Sequence, residues 1–208
     1  MNARPDTVPY ITGWTAERVK SPIVTARPAV GVAYVGEDPF DRDLQGVLWS
    51  RTLLRQGHGR PEFSRVHPLR QRRAMRKLLC QVCGGPADRN EHGVLWLLGD
   101  HRDDWPNWPE GMGATHPPLC LPCAGKSVRA CPHLTRGFAA VRVKDPRVKG
   151  VYGARYNPFN PFLGPIEDVT VSYRDPAIRW VIASQLVTGL HGCTFVDLEA
   201  ELAARAGR

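Results

Sequence analysis

Two Cys-x-x-Cys pairs, Cys80/Cys83 in "CQVCGG" and Cys120/Cys123 in "PLCLPCAG", constrain this chain more than any other feature. Thiolates two residues apart can grip one metal ion, and a second pair completes a tetrahedral set. The glycine after Cys83 permits the tight turn that aims backbone N–H groups at sulfur. The start, "MNARPDTVPYITGW", lacks the basic and then apolar form of a secretory leader, and no run approaches the roughly 18 apolar residues of a membrane span. These features predict a cytoplasmic protein with no membrane partner. In a reducing compartment, four paired cysteines among six read as metal ligands rather than as a disulfide framework. Zinc is the expected ion, one per chain and structural. Cys131 and His133, in "RACPHL", are alternates that can displace a member of the second pair. Cys193 reads as a buried strand thiol.

The net charge of +8 and pI near 9.5 suit an acidic partner. The charge is concentrated. Between Arg51 and Leu79 nine basic residues face a single acid, Glu62. Pro68 can open a helix over "LRQRRAMRKLL", which would place Arg70, Arg73 and Lys77 on one face and Arg72 and Arg76 on an adjoining one. These five cations are the candidate nucleic-acid contacts. A solvated basic face is the plainer reading.

With 208 residues and 42% apolar content, the chain can bury one good core. It reads in three parts: 1–79 with the basic helix, 80–134 as the zinc module, and 135–208 as an αβ part, all packed as one unit. In the first, "AVGVAYVGE" alternates like a strand, and Asp38 and Pro39 look like the start of a helix with Phe40, Leu44, Val47 and Leu48 facing a core. In the third, "GFAAVRVKDPRVKGVYGARY" reads as a hairpin turning at Asp145 and Pro146, and "EDVTVSY" as a strand. "AIRWVIASQLVTGL" repeats apolar residues at helical spacing from Ile178 to Leu190, predicting a helix that Gly192 stops. "CTFVDL" and a short Ala/Glu helix follow. The fold class is α+β.

A knuckle followed by a Cys pair at a helix N-terminus resembles treble-clef zinc modules, a likeness covering about a quarter of the chain. Within that group, HNH endonucleases carry a knuckle, an Asp-His pair, an Asn and a second Cys pair in that order. "CQVCG", "GDH" (Asp100, His101), Asn107 and "LCLPC" match it. The resemblance implies His101 as general base and Asp100 as ligand of a catalytic metal. Those enzymes place a further His directly after the second Cys of the helix pair, and Ala124 stands there. "GDHRDDW" read on its own is a polar loop in which Asp100 caps a turn. The combination "VHPLRQRRAM", "LLCQVCGG", "LWLL", "PPLCLPCA" and "RWVIASQL" is also similar to uncharacterised zinc-containing proteins of actinobacteria and their phages or mobile elements.

Together these features point to a zinc-stabilised nucleic-acid-binding or regulatory accessory protein without catalysis. An HNH-like nuclease using Asp100, His101 and Asn107, and a protein-interaction adaptor, are the two alternatives.

Overall fold

A computed structural model describes residues 7–134 and 137–207; the first six residues, read above for a leader, lie outside them. Helices and sheets are both present. In chain order the strands and helices are β1 Thr12–Trp14, β2 Val24–Arg27, β3 Gly31–Tyr34, β4 Leu48–Trp49, β5 Pro61–Val66, α1 Pro68–Lys77, β6 Arg89–Asn90 and β7 Gly93–Gly99. They continue with β8 Gly113–Ala114, α2 Leu121–Ala130, β9 Phe138–Val143, β10 Arg147–Tyr156, β11 Pro165–Ser172, β12 Val181–Gly189, β13 Cys193–Phe195 and α3 Leu198–Ala206. No helix of the described residues is long and apolar enough to cross a membrane.

Contacts divide the chain into two compact units. The first combines Met1–Ile11, Arg73–Val148 and Thr188–Arg208; the second combines Thr12–Arg72 and Lys149–Val187. The divisions fall inside α1, β10 and β12.

In the first unit an antiparallel sheet runs β13-β9-β7-β6. Its centre, β7, is buried along nearly its whole length because both faces are covered. Leu95 and Leu97 join Cys80, Leu119, Leu121, Ala124 and Leu198 in one core cluster, while Val94, Trp96 and Leu98 pack with Trp108, Val141 and Leu190 in another. Strand alternation sends neighbours to opposite faces, so an uninterrupted apolar "VLWLL" suits a central strand. Buried Arg142 of β9 donates through Nη2 to Asp88 (2.8 Å) and Glu201 (2.5 Å), fastening α3 beside β6.

In the second unit the sheet order is β11-β10-β12-β4, with β4 parallel to β12, and two further pairs, β1-β5 and β2-β3, lie outside it. Here the structure departs from the sequence reading. The predicted helix at 177–190 is a short 3₁₀ turn, Pro176–Trp180, followed by β12. Its apolar residues satisfy a helical period, but Val181, Ile182, Val187 and Thr188 are β-branched and β12 is buried between two partner strands. Gln71 completes the strand environment, donating to the Leu186 carbonyl (3.0 Å) and accepting the Leu186 N–H (2.9 Å). The predicted helix after Pro39 is one 3₁₀ turn, Pro39–Asp41, leaving Phe40 and Leu44 fully in solvent. Asp43 stops it: its carboxylate accepts the Gln45 and Val47 N–H groups and the Trp49 indole N–H. Residues on either side of Asp145 do form strands, but β9 and β10 belong to different sheets and make no hairpin.

The second unit also buries a charge pair. Glu17, wholly enclosed, accepts both Arg70 Nη atoms (2.5 and 2.7 Å), the Trp14 N–H (2.9 Å) and the Arg55 N–H (3.2 Å). Arg70 also donates to the Thr12 carbonyl at 2.6 Å. Beside them the enclosed His67 donates from Nε2 to the Leu53 carbonyl (3.0 Å) and receives the Arg70 N–H at Nδ1 (3.4 Å), which makes it a neutral imidazole. Burial works to raise the Glu17 pKa, but Arg70 and the Trp14 N–H overcome it and hold the carboxyl below its ordinary value. Burial, aided by the Arg70 and Arg65 charges, lowers His67 against the Leu53 carbonyl and Glu17.

Removing one member of such a pair strands the other, so Glu17→Gln is expected to cost about 3–5 kcal/mol of unfolding free energy in denaturant titrations. Both folded-state pKa values lie below their ordinary 6.5 and 4.5. The stability they contribute is therefore complete above pH 6.5 and declines with acidification, through His67 first and Glu17 below 4.5; thermal melts across that window read it.

Candidate metal centre

The knuckle is set by the end of α1. Leu78 adopts a left-handed φ of 50°, turning the chain so that Leu79 pairs with Pro86 around Cys80–Gly85. Inside the turn the Cys80 N–H donates to the Gly85 carbonyl (2.7 Å) and the Gly84 N–H to the Cys80 carbonyl (2.9 Å). Gly84 sits at φ 74°, and a Cβ there would lie 3.0 Å from the Tyr10 ring, so both backbone conformation and space require glycine.

Two flanking segments brace this turn. Tyr10 and Ile11 donate their N–H groups to the Val82 and Gln81 carbonyls, at 2.8 and 3.2 Å. On the other side the Gln81 N–H reaches Pro118 (3.0 Å), Asp88 reaches Leu119 (2.9 Å), and Leu119 in turn reaches Leu95 of β7 (2.9 Å). Nothing in the sequence around Tyr10 or Pro118 signals these contacts, since they are backbone bonds that any residue with an N–H can make. They place Cys120 as the N-cap of α2 and Cys123 in its first turn, where the positive helix end favours thiolate.

All four sulfurs, of Cys80, Cys83, Cys120 and Cys123, lie within 4.8 Å of one another, and Cys83 and Cys120 Sγ are 3.8 Å apart. A tetrahedron with zinc–sulfur bonds of about 2.3 Å has edges of about 3.8 Å. The donor set therefore fits a four-coordinate, thiophilic ion, and no other group of three or more donors among the described residues could hold a metal. Burial pushes the Cys80 thiol up to about 11 against the N–H groups of Cys120, Cys83 and Val82. Burial and the neighbouring thiols raise Cys123, while on Cys83 the Gly85 N–H and sulfur contacts outweigh burial and lower it.

The remaining sequence candidates are dispersed. Cys131 caps the far end of α2, about 15 Å of helix from Cys120, and is half-buried; His133 beyond it is exposed. Neither joins the sulfur group. Cys193 is half-buried at a sheet edge, its thiol raised by burial and by Glu110. Asp100 is exposed and accepts Arg102 Nε at 3.0 Å. His101, 59% exposed, pairs through Nδ1 with Asp104 at 3.2 Å, and Asn107 occupies a left-handed turn position with φ 65°.

The five cations of α1 also separate. Arg70 is inside the second unit on Glu17, so it is no surface contact, and Arg72 stacks 4.2 Å over the Trp49 ring. Arg73, Arg76 and Lys77 are exposed in the last turns before the knuckle. Comparison with protein-family models, curated proteins and solved structures gives no match to this chain.

Protein purified without chelator is expected to carry one metal ion per chain by elemental analysis. Cys120→Ser should lose it and Cys131→Ser should keep it. Acidification should release the ion, because protons compete for the thiolates.

Proposed function

We propose that the chain is a zinc-stabilised, non-catalytic nucleic-acid-binding accessory protein, in which the metal holds the basic end of α1 on a rigid base. The observation that carries this reading is the placement of Arg73, Arg76 and Lys77. They are exposed at i, i+3 and i+4, with no carboxylate in ion-pair range among the described residues, and they end three residues before Cys80. The knuckle, the β6–β7 hairpin and the Cys pair at the start of α2 follow the order of a treble clef, a module in which zinc replaces much of the hydrophobic core. Phosphate contact by a helix terminus needs that terminus held in register, and four metal–sulfur bonds just beyond it supply the constraint.

The reading of "GDH" as a polar loop rests on its local pairing. Asp100 and His101 are each paired within the loop, to Arg102 and Asp104, and no third donor joins them among the described residues. A water-activating metal needs more ligands than one exposed carboxylate.

Three phosphate contacts imply a slope of about −2 to −3 in log K against log salt. Fluorescence anisotropy with labelled DNA and RNA should give that slope, and Arg76→Ala should reduce its magnitude by about one. No binding at low salt would count against the reading. Mg²⁺-dependent strand cleavage abolished by His101→Ala would replace it with the nuclease alternative.

A further inference from the structure

In the second unit, the turn joining β2 to β3 and the 3₁₀ turn before β12 border an open hollow of about 360 Å³, lined by Arg27, Gly31, Arg179 and Trp180 among others. The volume lies in the range of small-ligand sites, about 300–1,000 Å³. Its lining is uneven in chemistry: two arginines and a tryptophan contribute to it, and no acidic residue does.

The walls are fixed by the backbone. Arg27 to Val30 form a turn closed by the Val30 N–H on the Arg27 carbonyl (3.2 Å), with Pro28 locking its second residue and Ala29 at φ 62° in a position normally taken by glycine. Gly31 follows at φ 104°, and a Cβ there would stand 2.1 Å from the Arg179 carbonyl oxygen. Only glycine lets the turn lie against the Arg179 backbone, which brings the two arginines to one cavity. Trp180, partly buried against the cluster of Val32, Tyr34, Leu48 and Ile182, is also one of the residues that line the hollow.

The two cations differ in their present partners. Arg27, half exposed, makes a long ion pair of 3.7 Å with Glu37, a carboxylate already held by Arg42 at 2.7 and 3.0 Å, so a phosphate would compete only with the weaker half of a shared pair. Arg179 is exposed, with no acid in ion-pair range among the described residues. Guanidinium groups match phosphate oxygens in pairs, and an anchored indole stacks on the face of any base.

We propose that this hollow binds a nucleoside phosphate, with the Trp180 ring against the base and Arg27 and Arg179 on the phosphate. The ligand chemistry is shared by a free mononucleotide and by a nucleotide within a single strand. The site shares no residue with the exposed cations of α1.

Calorimetric titration with adenosine monophosphate, adenosine, inorganic phosphate and a short single-stranded oligonucleotide tests the proposal, with tryptophan emission followed in parallel. The expected result is saturable binding of one monophosphate per chain, about tenfold tighter than adenosine or phosphate alone, with quenching. Arg27→Ala and Arg179→Ala should each weaken it about tenfold, and Trp180→Phe about fivefold with loss of quenching, while Arg174→Ala leaves it unchanged. An oligonucleotide that binds tighter than the monophosphate and depends on the same residues identifies a nucleic-acid strand as the source; a monophosphate that binds alone identifies a free nucleotide. The proposal is overturned if neither probe saturates up to about millimolar concentration, or if binding is indifferent to Arg27, Arg179 or Trp180.

Discussion

Four cysteine sulfurs packed within 4.8 Å of each other are a demanding arrangement, because thiolates at that separation repel and a buried thiolate without a partner is expensive. A divalent ion at their centre removes both costs and turns four separate chain positions into one rigid point. Much of the first unit hangs on that point. The end of α1 leads into it, Tyr10 and Ile11 lie along its turn, the strand-like residues before α2 bond to it, and α2 begins on it. Cys80 and Cys123 belong at once to the candidate ligand set and to the core cluster with Leu95, Leu119 and Leu198, so an ion bound there would couple to the packing of that unit.

The second unit buries polar groups of a different kind. Arg70 and Glu17 neutralise one another in the interior, and His67 and Gln71 use their hydrogen-bonding capacity on backbone groups of Leu53 and Leu186. Such a network contributes definition of structure more than net stability, since its desolvation cost is close to its Coulombic gain. It also redistributes the basic character of the chain. Of the nine cations between Arg51 and Leu79, Arg51, Arg65 and Arg70 are tied to carboxylates and Arg72 to an indole, which leaves a smaller and better defined set to meet a partner.

The four-cysteine cluster was legible because thiolate ligation imposes spacing: two residues between ligands, a glycine at the turn, a helix start at the second pair. Pro68 likewise marked α1, and the Ala/Glu run marked α3; the cap on α3, where the Asp197 carboxylate accepts the Glu199 and Ala200 N–H groups, is seen only in the structure. What was not legible depends on residues far apart in sequence. The stretch from Ile178 to Leu190 satisfies two periodicities, and only its neighbours β10 and β4 select the strand. Arg70 looked like its neighbours Arg73 and Lys77 on a helical wheel; Glu17, 53 residues earlier, takes it inside. The Arg27, Arg179 and Trp180 hollow joins segments about 150 residues apart and carries no motif.

The central claim, a structural ion held by four thiolates, is tested most directly by X-ray absorption at the metal edge on protein as purified. The expected result is a zinc edge with four sulfur neighbours at about 2.3 Å and no lighter donor. A coordination sphere containing nitrogen or oxygen, or fewer than four sulfurs, would contradict it and would bring a residue such as His133 or a water into the ligand set.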